Sequence, residues 1–289
     1  MAQVTKAVIP VAGFGTRFLP FTKAVPKAML PVVNRPAVEI IIDEAYMSGI
    51  KEIALIVGQN KEVLQAHFGD NEVLNNALLK GGKTDFYQAV NKYKDLKISF
   101  IEQTEQKGTA HAISLAKDFV DGQPFAVMFG DDLMYNKVPV IKQLIDAYSQ
   151  KQATVIGCKR VPFDQVSKYA TVEYESEENN LYKISKIIEK PKKEEIKSNL
   201  SPLGRYVCSC EIFDIIQALK PGKNGEYQFT DALDVISREK GGYALEFEGI
   251  RYDMGDRLGF LKANVEFALR DEGLKGEFKN YLKEILKKR

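Results

Sequence analysis

The feature that most constrains this chain is a series of short, nearly unbroken apolar runs separated by stretches of helical spacing. The runs are Lys6 to Val11, Glu52 to Val57, Ile98 to Ile101 and Phe125 to Phe129. From Pro36 onward, Val38, Ile41, Ile42 and Ala45 recur at i, i+3, i+4 and i+7, which predicts a helix that runs to Ser48 and stops at Gly49. Lys61 to Phe68, Glu72 to Leu79, Thr84 to Tyr93 and Ala110 to Val120 read as further helices. Strands without polar alternation are buried on both faces, so helices must cover both sides of a mostly parallel sheet. The first half is therefore an α/β core of the nucleotide-binding type.

The second half is less regular. Val155 to Val161 and Leu203 to Cys208 read as strands, and Ala170 to Tyr174 with Tyr182 to Ile188 as a β-pair across the polar turn Ser176 to Asn180. Ile212 to Leu219, Asp231 to Glu239, Leu258 to Arg270 and Lys275 to Lys287 have helical spacing. No repeat, low-complexity segment or Pro/Gly linker separates independent domains, so this β-rich part is expected to share the core of the first half.

Composition narrows the function classes. Lys and Arg number 41 against 39 Asp and Glu, which gives no field argument for nucleic acid or an acidic membrane. No stretch approaches the ~20 apolar residues of a membrane helix, and the first residues do not read as a signal peptide. A cytoplasmic protein is expected. The cysteines, Cys158, Cys208 and Cys210, are odd in number and lack metal-ligand spacing, so reduced thiols are expected. On that reading the sequon Asn199-Leu200-Ser201 is a chance match.

Directly after the first strand comes Gly13-Phe14-Gly15-Thr16-Arg17. Glycines there let backbone N–H groups approach phosphate oxygens, and Arg17 adds a forked cation. A Walker loop would need Gly-Lys-Ser/Thr, which is absent. A dinucleotide fingerprint would need a small residue at position 18 and an acid about 20 residues on, but Phe18 and Asn34 occupy those places. A plain strand-ending turn is the bland alternative. Lys23 and Lys27, on a segment stiffened by Pro26 and Pro31, weigh against it, because with Arg17 they can surround a polyphosphate.

Gly130-Asp131-Asp132 ends the fourth apolar run, where parallel sheets bind ligands, and suits a divalent cation. By itself such a triplet is often only turn and cap chemistry. It gains from Asp253, an acid before a tight turn far along the chain. Glu189 and Lys190 close a strand as an acceptor beside a cation, the acid suited to sugar hydroxyls and the lysine to a sugar phosphate. A surface charge pair is the alternative. Gln103 and the segment Lys107 to Ala112 complete a set of strand-end loops able to read a base. His111 reads as a residue packed at a helix start, and His67 as a helix-end histidine.

Together, Pro10 to Pro20, Pro26 to Pro31, Lys107 to His111, Gly130 to Asp132, Glu189 to Pro191, Ser198 to Leu200, Gly204 to Tyr206 and Thr230 to Ala232 resemble the bacterial UTP–glucose-1-phosphate uridylyltransferases over nearly the whole chain. The resemblance implies a Rossmann-like core at about residues 1–150, a β-rich sugar-binding part at about 151–257 and C-terminal helices at about 258–289, all in one domain. It implies transfer of UMP from UTP to glucose 1-phosphate with Mg²⁺ held by Asp131 and Asp253. Ala12, Gly13, Gly15, Thr16, Gln103 and Gly108 would meet the nucleotide, Arg17 and Lys27 the triphosphate, and Asp132, Glu189, Lys190, Gly204 and Glu226 the remaining substrate groups. A homodimer or homotetramer is expected, with no nucleic-acid or membrane partner.

Several positions depart from the family pattern. Ala28 stands where Glu is usual, Asn34-Arg35 for Asp-Lys, Thr109-Ala110 for Leu-Gly, Ala170 for Gly and Met254 for Cys or Val. These changes bear on the choice of sugar and base more than on the reaction. The same chemistry with another nucleotide or sugar 1-phosphate is one alternative. The other is a non-catalytic sugar-nucleotide sensor, a reading weakened by the presence of Arg17, Lys27, Asp131, Glu189, Lys190 and Asp253 together.

Overall fold

The structure is a computed structural model that describes residues 3–58, 60–222 and 225–288. The first half contains β1 (Lys6–Pro10), the ribbon β2 (Pro31–Val32) and β3 (Arg35–Pro36), α1 (Ala37–Met47) and β4 (Glu52–Val57). It continues with α2 (Lys61–Phe68), α3 (Glu72–Lys80), α4 (Thr84–Val90), β5 (Lys97–Glu102), α5 (Thr109–Ser114), α6 (Lys117–Val120), β6 (Phe125–Met128), β7 (Asp132–Tyr135) and α7 (Val140–Lys151). The second half holds β8 (Thr154–Arg160), β9 (Ala170–Glu178), β10 (Leu181–Glu189), β11 (Leu200–Cys208), α8 (Ile212–Ala218) and α9 (Phe229–Lys240). The chain closes with β12 (Gly242–Glu246), β13 (Ile250–Asp253), α10 (Arg257–Ala268) and α11 (Lys275–Lys287).

Nine strands form one sheet in the order β5-β4-β1-β6-β11-β8-β12-β10-β9. The first four run parallel, and β11 pairs antiparallel with both β6 and β8, so strands of the first and second halves share a single sheet. Side chains alternate between its faces with the strand period of two. Ile9 and Leu55 enter a cluster with Val38, Ile41 and Ile42 of α1 and Leu144 of α7. Val8 and Ile56 enter the opposite cluster with Ile113 of α5, Phe213 of α8 and Ile236 of α9. This is the two-sided cover that the apolar runs require. Lys6, buried at the start of β1, is tolerated because its ammonium donates to the carbonyls of Phe119 (2.8 Å) and Val120 (3.3 Å) at the end of α6.

Several boundaries differ from the sequence reading, three of them with a clear local cause or consequence. The β9–β10 hairpin is longer than expected and turns at Asn179-Asn180, whose φ angles of 51° and 62° fit a two-residue type I′ turn. The helix expected over Ala110 to Val120 is two, α5 and α6. The helix expected to reach Tyr93 stops at Val90, freeing Lys92 and Tyr93 to bond Asp43 on α1. Cys158, Cys208 and Cys210 are unpaired thiols, and burial pushes Cys158 and Cys208 well above their usual range. Among the described residues no helix is long and apolar enough to cross a membrane.

Candidate functional site

From β1 the chain moves outward to β4 and β5, then returns to place β6 on the other side of β1. The carboxyl ends of β1 and β6 therefore flank the crevice where open α/β sheets bind ligands. A cavity of about 520 Å³ lies there, lined by Ala12, Gly13, Gly15, Lys27, Gln103, Gly108, Asp131 and Glu226 among others. Eight of the residues singled out from the sequence thus share one space. Thr109, one of the departures from the family pattern, lines it too, and so do Phe14 and Gln106, to which no role was given from the sequence; Gln106 Nε2 donates to the carbonyl of Ala12 at 3.2 Å. The loops after β1 and β6 touch: a Cβ on Gly130 would stand 2.5 Å from Val11 Cγ1 and 2.8 Å from Pro10 O. Only glycine permits that approach.

Asp131 carries the first carboxylate, and Lys27 Nζ donates to its Oδ2 at 2.8 Å. Burial raises the Asp131 pKa, but the charge and hydrogen bond of Lys27, helped by Arg251, outweigh it and hold the carboxyl below its ordinary value. Asp253 is brought alongside by β7 and β13, which pair antiparallel with Asp253 opposite Asp132, and by Met254 N donating to Asp131 O at 2.7 Å. A methyl placed on Gly255 would stand 2.6 Å from Asp253 Oδ1, 3.6 Å from Asp131 Oδ2 and 3.5 Å from Arg17 Nη1. Two carboxylates and a guanidinium thus border one small volume. Arg17 is fixed there by donating to Gly255 O at 3.1 Å.

Among the described residues no cluster of three or more His, Cys, Asp or Glu forms a protein-only metal cage. Two partly exposed carboxylates suit a hard divalent cation that completes its shell with water and phosphate oxygens, so the chemistry of Asp131 and Asp253 fits such an ion.

Asp132 faces the protein interior. Its Oδ1 accepts from Arg251 Nε at 2.5 Å, and a Cβ on Gly204, whose φ is +66°, would stand 2.2 Å from its Oδ2. Burial, with Asp131 and Asp253 nearby, pushes the Asp132 pKa up to about 6 against the pull of Arg251. Arg251 also reaches Asp253 Oδ2 (3.3 Å) and the Tyr169 hydroxyl (3.3 Å), and it stacks over the Tyr169 ring. Sequence reasoning missed both Arg251 and Tyr169. The signal for Arg251 was a cation alternating with Tyr252 and Asp253 in a short strand.

Glu189, Lys190 and Gly204 lie outside the lining of the cavity, as do Thr16, Arg17, Asp132 and Asp253. Thr16 and Arg17 belong to a short 3₁₀ turn, Thr16–Phe18, that follows Gly15. At the end of β10, Glu189 Oε2 accepts from the Thr230 hydroxyl at 2.7 Å, and Lys190 N donates to Tyr169 O at 2.7 Å. Burial raises the Glu189 pKa, while Thr230 and Lys190 oppose the shift. The Lys190 side chain is 63% exposed, with Nζ 3.9 Å from Glu189 Oε1. Through Tyr169 this segment is joined to Arg251 and the carboxylates.

Most of the departures from the family pattern lie in apolar or hydrogen-bonded settings that accommodate them. Thr109 Oγ1 accepts from Phe229 N at 2.9 Å, at the start of α9. Ala110 is fully buried, and its N–H donates to Tyr227 O at 2.9 Å. Ala170 is buried in the apolar cluster that contains Tyr206 and Phe229. Ala28 and Met254 are likewise buried with apolar neighbours. His111 reaches Gln103, ring Nδ1 to Nε2 at 3.2 Å, and His67 lies 2.9 Å from Glu39.

Comparison with known proteins agrees with this architecture. Residues 6–269 match the nucleotidyl transferase family. The UTP–glucose-1-phosphate uridylyltransferase of Staphylococcus epidermidis is 40% identical over 286 residues, 99% of each chain. A UDP-glucose pyrophosphorylase solved with UDP-glucose is 34% identical with a TM-score of 0.85, covering 93% of this chain and all of that one. The UTP-bound enzyme from Acinetobacter baumannii is 32% identical with a TM-score of 0.90, covering 98% of this chain and 99% of that one. The resemblance read from the motifs is borne out along the whole length, and the chain belongs to the nucleotidyl transferase family.

Proposed function

We propose that this chain transfers UMP from UTP to glucose 1-phosphate, giving UDP-glucose and pyrophosphate. The convergence of Asp131, Asp253, Arg17 and Lys27 beside the nucleotide-sized cavity carries this reading. It is supported by relatives named for that reaction and by neighbours solved with UTP and with UDP-glucose.

The phosphate of the sugar is already an anionic nucleophile, so no side chain need remove a proton. The barrier lies in bringing it against the α-phosphorus of another polyanion, which charge neutralisation and alignment lower. A bond forms between the sugar-phosphate oxygen and the α-phosphorus, and the bond to the bridging α–β oxygen breaks as pyrophosphate leaves. Backbone at Ala12, Gly13, Gly15 and Thr16, with Gln103 and Gly108, holds the nucleotide. Lys27 faces the α-phosphate and Arg17 the departing pyrophosphate. Lys190 holds the attacking phosphate, while Glu189, Gly204 and Glu226 orient the sugar. Asp132 serves this arrangement by holding Arg251 beside Asp253. Mg²⁺ on Asp131 and Asp253, when bound, supplies Lewis-acid neutralisation of phosphate charge.

We also assign the chain a homodimeric or homotetrameric state. Exposed Leu258 and Leu261 on α10 and Leu286 on α11 support it, and sedimentation velocity of the purified chain measures it directly. The substrate assignment is tested by pyrophosphate release with Mg²⁺, pairing UTP, dTTP, CTP or ATP with the 1-phosphates of glucose, galactose and glucosamine. Fast release only with UTP and glucose 1-phosphate is expected. Faster release with another pair would move the substrate and keep the chemistry. A folded chain that binds UDP-glucose yet turns over no pair would make it a sensor.

A further inference from the structure

Arg205 stands in the middle of β11 with no exposed surface. A guanidinium stays charged in proteins, so its burial is tolerated only if its donors find acceptors. Nε and Nη2 bond Glu44 Oε2 at 3.1 and 2.7 Å. The remaining donors reach main-chain carbonyls: Nη2 to Asp132 O at 2.8 Å, and Nη1 to Gly204 O at 3.2 Å and Phe129 O at 3.4 Å. Glu44, buried on α1, also accepts from Ile141 N at 2.9 Å through its other oxygen.

Phe129 and Asp132 are the two ends of the loop that carries Gly130 and Asp131. One rigid planar fork therefore ties both ends of that loop to the strand beside it, and Glu44 ties the fork to α1 and α7. Compared with apolar side chains of like size, a buried ion pair commonly adds no net stability. Its distinctive effect here is geometric.

We propose that Arg205, oriented by Glu44, is a positioning residue for Asp131. It holds the Phe129–Asp132 loop so that the Asp131 carboxylate stays beside Lys27 and Asp253, where the cation is bound. Arg205 touches no substrate. This inference rests on the metal-assisted reading above.

The test compares wild type with Arg205→Lys and Glu44→Gln in the full chain. Lysine keeps the charge but lacks the fork, so it cannot hold Glu44 and both carbonyls together. Mn²⁺ binding is titrated by electron paramagnetic resonance in the presence of UDP-glucose, with UDP-glucose alone as the blank. Thermal midpoint, kcat and KM for UTP are measured beside it. The expected result is a Mn²⁺ dissociation constant raised by about 10- to 100-fold and kcat lowered to match, with KM for UTP changed by less than about 3-fold. A lowered thermal midpoint with wild-type Mn²⁺ affinity and kcat would mean a merely structural role and would overturn the proposal. If Arg205→Lys does not fold, Glu44→Gln carries the same comparison, because it keeps size and an acceptor for Ile141 N. A wild-type chain that neither turns over nor binds Mn²⁺ sinks the functional reading and this inference together. An active wild type matched by its variants sinks this inference alone.

Discussion

Lys27 and Asp131 meet as an ion pair, Nζ to Oδ2 at 2.8 Å, although 104 residues separate them in the chain. The pair joins the segment that follows the glycine loop to the strand end at β6. Each partner holds the other at the cavity wall, so their removal has different consequences.

Asp131→Asn keeps the shape of the side chain and removes its charge. Turnover should fall by about 10²- to 10³-fold, as when one charge-stabilising contact is lost from a preorganised site. Circular dichroism and the thermal midpoint should stay close to wild type, because the main-chain bond from Met254 N to Asp131 O is untouched. An unchanged kcat would remove Asp131 from the reaction.

Lys27→Met acts on the same carboxyl from the other side. With Lys27 present the Asp131 pKa lies below its ordinary value; without it, the charge and hydrogen bond that lower it most are lost and the pKa rises. The acid limb of the kcat/KM profile should therefore move to higher pH, in addition to a loss of rate at neutral pH. Profiles recorded from pH 4 to 9 check this, and an acid limb that stays in place contradicts the coupling.

Gly204→Ala strains two things together. The residue's φ is +66°, and the new methyl would stand 2.2 Å from Asp132 Oδ2. A loss of about 1–3 kcal/mol of stability is expected from the backbone conformation alone. Asp132 must also shift, which disturbs Arg251 and Asp253, so the rate should drop as well. Urea unfolding and kcat report the two effects separately.

Away from the site, Asp43 accepts from Arg35, Lys92 and Tyr93, and Glu39 from Arg35 with His67 alongside. Burial raises both carboxyls, but these partners outweigh it and leave each pKa below its ordinary value. In that window the unfolded chain binds more protons than the folded one. The stabilisation is therefore complete above the unfolded-state values and is lost as pH falls through the folded ones. Asp43→Asn should cost about 1.5–3 kcal/mol at pH 7, the range for hydrogen bonds to charged groups. The gap from wild type should narrow as pH drops below about 4. Urea midpoints across pH 3 to 7 measure it; a constant gap would contradict the charge-based account.

The parallel half of the sheet was legible because strands buried on both faces leave nearly continuous apolar runs, as in Ile53 to Val57. Gly13, Lys27 and Asp131 were legible because their types and spacing fit one chemistry. Their mutual distances were not, since antiparallel pairing of β7 with β13 brings Asp253 to the site from more than a hundred residues away. Those two strands have four residues each, too short for a periodic signal. Arg205 and Glu44 were missed because each sits in an element read by its apolar majority. A charge on the buried face of α1 and another amid Leu203, Tyr206 and Val207 are the pattern of a buried ion pair, although sequence alone cannot match the partners.

The most direct measurement follows the label from UTP. Purified chain is incubated with Mg²⁺, glucose 1-phosphate and UTP labelled with ³²P at either the α or the γ position, and the products are separated by chromatography. The account predicts α-label in UDP-glucose and γ-label in pyrophosphate, in equal amounts. Label that remains in UTP, or γ-label released as orthophosphate with no UDP-glucose formed, would contradict it.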